Sequence, residues 1–253
     1  MKKSAWIVLA GAIIGMSGCN GQSDSNGADG TLPQGSDSVT QAPAPIPGGS
    51  GTGSVTLPPV SENSGVVGPS CHGGANCLAL RYVVYKDSAG KPVVSQEEAI
   101  GNLQSINQTW AACGISFQMD EFLPVDPVDY GLTFNTANSS ELDPIRRTFD
   151  ESDTLLVVTT GKWNRSGTLG ATGANAWTNM PGSSALGAIL ESAVGTYPNI
   201  IAHELGHYLN LPHVSDSTDL MNPVIYTTST RLSSGQCSAA LSAISYYWRA
   251  MRR

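Results

Sequence analysis

Residues 199–213 read Asn-Ile-Ile-Ala-His-Glu-Leu-Gly-His-Tyr-Leu-Asn-Leu-Pro-His, and no other stretch restricts the fold so tightly. His203 and His207 stand four residues apart, so on a helix both rings leave the same face from adjacent turns. Glu204 then lies beside whatever the two rings hold. His213 comes six residues after His207, out of step with that face, so the chain must turn back to bring it in. Asn210 suits the turn because asparagine tolerates the left-handed conformation that ends many helices, and Pro212 stops the helix resuming. Three of the chain's four histidines lie here. Chance would give this spacing with odds on the order of one in ten thousand. Three neutral imidazoles with a fourth position left for water suit Zn2+ in an open site; a structural site would be closed by a fourth protein ligand.

The stretch resembles the zinc-binding consensus of the metzincin metalloproteases, His-Glu-x-x-His-x-x-Gly-x-x-His, with Asn210 in place of the glycine. Downstream, Asp219-Leu220-Met221-Asn222-Pro223 resembles the methionine turn of that family. Within it the chain is most similar to the matrixin branch, whose turn is also followed by proline, a tyrosine and a final helix. Tyr226 sits one residue beyond the usual spacing. The resemblance implies one catalytic Zn2+ on His203, His207 and His213, Glu204 as general base, and Met221 as a floor beneath the metal. It also implies a protein or peptide substrate. Other zinc peptidases take a glutamate as third ligand from a later helix, but no glutamate follows Glu204 and only Asp216 and Asp219 remain as carboxylates.

The chain opens with Met1-Lys2-Lys3, an apolar run from Ala5 to Met16, and Ser17-Gly18-Cys19. The run is too short to span a bilayer comfortably and has the flanks of a secretory signal. Met16 to Cys19 resembles a bacterial lipobox with Met at its first position, so residues 1–19 read as a lipoprotein signal and Cys19 as the lipidated first residue. The alternative is an ordinary signal that leaves Cys19 free. Residues 20–70 are rich in Gly, Ser and Pro, with no aromatic residue and only Asp24, Asp29, Asp37 and Glu62 charged. Such a segment cannot bury enough apolar surface to offset its ordering entropy and reads as a disordered tether, with a coil reach of roughly 40 Å. A pro-segment plugging the site is the competing reading.

Residues 71–253 have the length of one catalytic domain. Leu78 to Lys86 reads as a strand. Ser95 and Glu98 have capping-box spacing, Ile100, Leu103, Ile106 and Trp110 follow at helical period, and Gly114 stops the helix. Ile115, Phe117 and Met119 alternate as a second strand, so the pair is parallel with a right-handed crossover. Asp120 to Glu151 shows only loops and room for a short helix. Leu155 to Val158 is a continuous apolar run, as in a strand covered on both faces. The resemblance places an antiparallel, substrate-binding edge strand near Gly170 to Trp177. Ala185 to Glu191 is a last short strand, and Pro198 opens the zinc helix. Ser233 and Gln236 cap a final helix whose buried face holds Cys237, Leu241, Ile244 and Trp248, with Arg249, Arg252 and Arg253 favouring the negative end of its dipole. The expected fold is therefore α+β: a metzincin-like zincin fold with a mixed twisted sheet, an antiparallel edge strand, a zinc-binding helix, a methionine turn and a C-terminal helix.

Four further cysteines, Cys71, Cys77, Cys113 and Cys237, suggest disulfides in an exported protein, with three possible connectivities. The Cys71–Cys77 loop also reads as a metal clip, or Cys71 as a thiol capping the zinc. The placement of Cys113 and Cys237 at helix positions favours a long-range bridge between them, leaving Cys71 with Cys77. The net charge of −7 speaks against nucleic acid as a partner. The expectation is a zinc endopeptidase anchored by lipid to the bacterial cell envelope, at the outer membrane or cell surface. The alternative is a non-catalytic envelope lipoprotein using the same fold to bind a peptide or surface ligand, which would have no need of Glu204 beside an open metal position.

Overall fold

The computed structural model describes residues 66–71, 76–183 and 185–253, together with the backbone of Met16–Ser17. Cys19, most of the expected signal and nearly all of the expected tether lie outside the described residues. Met16–Ser17 (β1) pairs antiparallel with Val224–Ile225 (β7). The tether's last residues run onto the domain, where the Val67 amide donates to the Met119 carbonyl at 2.7 Å. No helix among the described residues is long and apolar enough to cross a membrane.

A five-stranded sheet forms the frame. Cys77–Tyr85 (β2), Ser116–Val125 (β3), Leu155–Thr160 (β4) and Ala188–Glu191 (β6) run parallel, and Ala176–Thr178 (β5) closes one edge antiparallel, in the order β3-β2-β4-β6-β5. The continuous apolar runs of β2 and β4 are explained by burial on both faces. Leu78, Leu80, Tyr82, Leu155 and Val157 face one core, and Val83, Tyr85, Leu156 and Val158 face the other. Helix α1 (Gln96–Trp110) crosses between β2 and β3. Its capping box is formed on both sides: Ser95 Oγ accepts from the Glu98 amide at 3.2 Å and Glu98 accepts from the Ser95 amide at 2.8 Å. Its apolar face packs on the first core beside α4 (Pro198–Tyr208) and α5 (Ser234–Tyr246).

Some boundaries differ from the sequence expectation, each for a tertiary reason. Strand β3 continues past Met119 to Val125, because a register shift opposite Leu80 and Arg81 lets Glu121 turn onto the buried Arg81 guanidinium at 2.8 Å. The stretch before β4 contains a true helix, α2 (Leu142–Phe149), whose Leu142, Ile145 and Phe149 fill the second core. Where the edge strand was expected from Gly170, residues Thr168–Thr172 form a short helix, α3, and the strand is only Ala176–Thr178. Arg165 explains this: its guanidinium donates to the Ala174 carbonyl at 2.6 Å and pairs with buried Glu191, wrapping the segment before it can extend. Strand β6 starts at Ala188 rather than Ala185, since the Gly187 carbonyl is taken by Arg146 Nε at 2.9 Å. Helix α5 ends at Tyr246, short of Trp248, and Arg252 Nη2 donates to Ser245 Oγ in its last turn at 3.4 Å. Arg253 reaches Asp120 at 2.6 Å and Asp153 at 3.4 Å, pinning the chain end to the sheet.

The cysteines pair as Cys71–Cys77 and Cys113–Cys237, which removes the metal-clip and zinc-capping readings of Cys71. The second bridge ties the end of α1 to α5 across 124 residues, whereas the first closes only 6. In the chain-entropy view, opening Cys113–Cys237 costs about 5 kcal/mol and opening Cys71–Cys77 about 2 kcal/mol. Urea unfolding of the two paired Cys→Ala variants measures this. Equal losses would show that loop closure is not what the long bridge contributes.

Candidate metal centre and its supports

Helix α4 enters through Pro198, whose missing N–H costs nothing in a first turn. It is buried along most of its length, with His203 and Glu204 fully enclosed and His207 nearly so. The helix ends as the sequence predicts. Asn210 takes φ 62°, its amide donates to the His207 carbonyl at 2.9 Å, and the Leu211 amide donates to the Gly206 carbonyl at 3.0 Å. This is the two-bond cap of a Schellman turn. It swings His213 back, so that His213 Nε2 lies 3.1 Å from His207 Nε2 and 3.3 Å from His203 Nε2.

Backbone carbonyls set the protonation of the rings. His203 Nδ1 donates to the Leu220 carbonyl at 2.7 Å, and His207 Nδ1 donates to the Leu211 carbonyl at 2.9 Å. With their protons on Nδ1, both neutral rings present unprotonated Nε2 lone pairs to one point. Burial pushes His203 well below the ordinary imidazole value, and the neighbouring His207 pushes it further. Burial, then His213, brings His207 down to about 4, and burial lowers His213 as well. Protons therefore do not neutralise the crowding of these lone pairs near neutral pH.

The methionine turn lies against this group. The Leu220 carbonyl that orients His203 belongs to it. Asp219 Oδ1 accepts from the Met221 amide and from Gln236 Nε2, both at 2.8 Å, so the first turn of α5 braces it. The Val214 amide donates to the Met221 carbonyl at 3.0 Å, joining the turn to the strand of chain that follows His213. Met221 is fully buried and presses so closely on Gly206 that a Cβ there would collide with its sulfur. Met221 thus packs directly against the helix that carries His203 and His207. Beyond the turn, the Tyr226 and Thr227 carbonyls accept from Asn199 Nδ2 at 3.3 and 3.1 Å, which ties the segment carrying Tyr226 to the start of α4.

Glu204 leaves the same helix between the two histidines, and its Oε2 accepts from Thr178 Oγ1 of β5 at 2.6 Å. Sequence reading missed Thr178, as well as the bracing by Asp219 and Gln236. Both are contacts across long separations, and neither residue type at its position carries a local signal.

The donor set fits zinc. Ligands at about 2.0–2.1 Å in a tetrahedron stand about 3.3 Å from one another, close to the 3.1 and 3.3 Å that separate His213 Nε2 from the other two. Half-buried His213 leaves the group open on one side, whereas two of the three rings are held from behind by main chain.

A mixed sheet with one antiparallel edge strand, a helix bearing paired histidines, a third histidine beyond a tight turn and a methionine turn together make the α+β architecture of a metzincin-type zincin. A family model described as matrixin, peptidase M10, matches residues 79–238, and the chain belongs to that family. It has the α+β matrixin fold. No curated protein matches it. Among solved structures, metalloproteinase-II from Bacteroides fragilis is similar at 15% identity with a TM-score of 0.43, over 66% of this chain and 53% of that one. A chaperone-substrate complex is similar at 12% identity with a TM-score of 0.45, over 70% of this chain and 35% of that one. The chain spans about half of the first and about a third of the second.

Because burial lowers all three imidazoles from their ordinary value, His203 and His207 most, metal uptake has fewer protons to displace. At pH 5.5, three ordinary imidazoles would release more than about two protons on binding zinc, whereas this site should release fewer than about one. Calorimetry in buffers of differing ionisation enthalpy reads the number directly. Release of two or more protons would show that the cluster is charged before it is filled.

Proposed function

We propose that the protein is a zinc-dependent endopeptidase, carrying one catalytic ion on His203, His207 and His213 and using Glu204 as general base. The observation that supports this most is the placement of a buried carboxylate between two rings whose lone pairs face a common point. When bound, zinc supplies a Lewis acid that polarises a carbonyl and makes water more acidic. The chain's own residues do the rest. His203 and His207 keep their protons on Nδ1, turned toward Leu220 and Leu211, so they donate electron pairs and no protons at the reacting centre. Glu204 accepts the attacking water's proton and returns it to the leaving amine, so that the C–N bond breaks as the new C–O bond is kept. Strand β5, at the end of the strand order, is the main chain beside which an extended peptide substrate would lie.

The proposed setting is the bacterial envelope, with the domain held by a lipid on Cys19 and a tether ending near Ser70. Its support is the lipobox-like sequence and the composition of residues 20–70. Replacing Cys19 with Ser should move the protein from the membrane to the soluble fraction. Wild-type protein that is wholly soluble and carries no acyl chain by mass spectrometry would overturn the anchoring.

For the chemistry, Glu204→Gln keeps size and hydrogen-bonding capacity but cannot accept the proton. Zinc content should stay at the wild-type level while the peptidase rate falls by at least about a hundredfold. His207→Ala removes a ligand, so zinc content and activity should fall together. Metal analysis and a quenched-peptide assay on both variants test this. A Glu204→Gln protein that cleaves near the wild-type rate would disprove the general-base role.

A further inference from the structure

A glutamate on a helix has three side-chain torsions, and a general base works only if its carboxylate is held at one place relative to the water it deprotonates. One contact that reaches the Glu204 carboxylate comes from the edge strand. Thr178 Oγ1 donates to Glu204 Oε2 at 2.6 Å, in a place where Thr178 is only 6% exposed and Glu204 is fully buried. A hydroxyl that donates to a carboxylate in such buried surroundings makes a stronger hydrogen bond than the same pair would in water. Threonine is branched at Cβ, so few rotamers are open to it, and its hydroxyl is itself well fixed.

The strand carrying Thr178 is fixed on both sides of it. Strand β5 has three residues and Thr178 is the last, a position that would fray if left to the sheet alone. Arg146 of α2, 1% exposed, prevents this: its Nη2 donates to the Trp177 carbonyl at 2.8 Å and its Nε to the Gly187 carbonyl at 2.9 Å, joining β5 to the start of β6. Asp143 accepts from Arg146 Nη1 at 2.8 Å and from Asn179 Nδ2 at 3.2 Å, and Asn179 Nδ2 also donates to the Ala185 carbonyl at 2.8 Å. The residues immediately before and after Thr178 are therefore both tied to α2 or to the approach to β6.

From this geometry we infer that Thr178 is a positioning residue for the peptidase reaction, its hydroxyl fixing the Glu204 carboxylate from a strand end held by Arg146 and Asp143. The inference rests on the general-base reading of Glu204. It makes the edge strand serve two purposes, since the strand beside which substrate is proposed to lie also orients the base.

The test compares full-length wild type with Thr178→Val, nearly the same shape without the hydroxyl, and Thr178→Ser, which keeps the hydroxyl and loses the methyl. On a peptide that the wild type cleaves, Thr178→Val should lower kcat about ten- to a hundredfold, with KM and zinc content within about twofold of wild type. Thr178→Ser should recover most of the rate. A crystal structure of the Val variant should show the Glu204 carboxylate displaced or in more than one rotamer. Full kcat in Thr178→Val, a rise in KM with kcat intact, loss of zinc, an undisturbed Glu204 rotamer, or a Ser variant as slow as the Val variant would each overturn the positioning role. If the Val variant does not fold, Thr178→Ala and Thr178→Ser carry the same comparison. A Glu204→Gln protein that stays active refutes the general base itself. An inactive Glu204→Gln beside a fully active Thr178→Val refutes only the role of Thr178.

Discussion

Two backbone carbonyls, those of Leu220 and Leu211, decide what the centre of this molecule can be. By accepting the Nδ1 protons of His203 and His207 they fix both tautomers, so the Nε2 lone pairs converge where no hydrogen-bond donor of either ring can relieve them. A cation bound at that point would draw on these lone pairs together with that of His213. Burial adds to this by disfavouring the imidazolium form that would otherwise quench the lone pairs. The stability of the folded chain and its capacity for metal are thus coupled through the same few hydrogen bonds.

Those carbonyls are in place because of packing some distance away. Leu211 is set by the turn at Asn210, where a left-handed residue lets the helix close on itself. Leu220 is set by the methionine turn, which α5 braces through Gln236 and Asp219, and α5 is in turn tied to α1 by Cys113–Cys237. On the inner side, Trp110 Nε1 donates to the Ala202 carbonyl at 3.3 Å, fixing α1 against the helix that carries the ligands. The absence of a side chain at Gly206 lets Met221 approach the helix directly beneath them. The candidate metal centre is held from the main chain outward, with the three histidine rings the last links in the chain of supports.

The parts legible in the sequence were those coded locally. The histidine spacing, the asparagine turn, the capping boxes at Ser95 and Ser233 and the apolar runs of β2 and β4 each carry their meaning within a few residues. The parts that were not legible depend on partners far along the chain. The edge strand is short because Arg165 finds Glu191. Helix α2 exists because Leu142, Ile145 and Phe149 have a second core to enter, although Asp and Pro crowd the sequence around them. Arg253 reads as a helix-end charge until Asp120 and Asp153 are seen beside it. Thr178 is one threonine among many until the fold brings it to Glu204.

The central claim is that three neutral imidazoles, and no sulfur or carboxylate of the protein, hold the metal. X-ray absorption at the zinc edge of the loaded full-length protein measures this without reference to turnover. The account predicts three imidazole nitrogens and one additional light scatterer at about 2.0–2.1 Å. A sulfur shell near about 2.3 Å, or a set with fewer than three imidazoles, would contradict it.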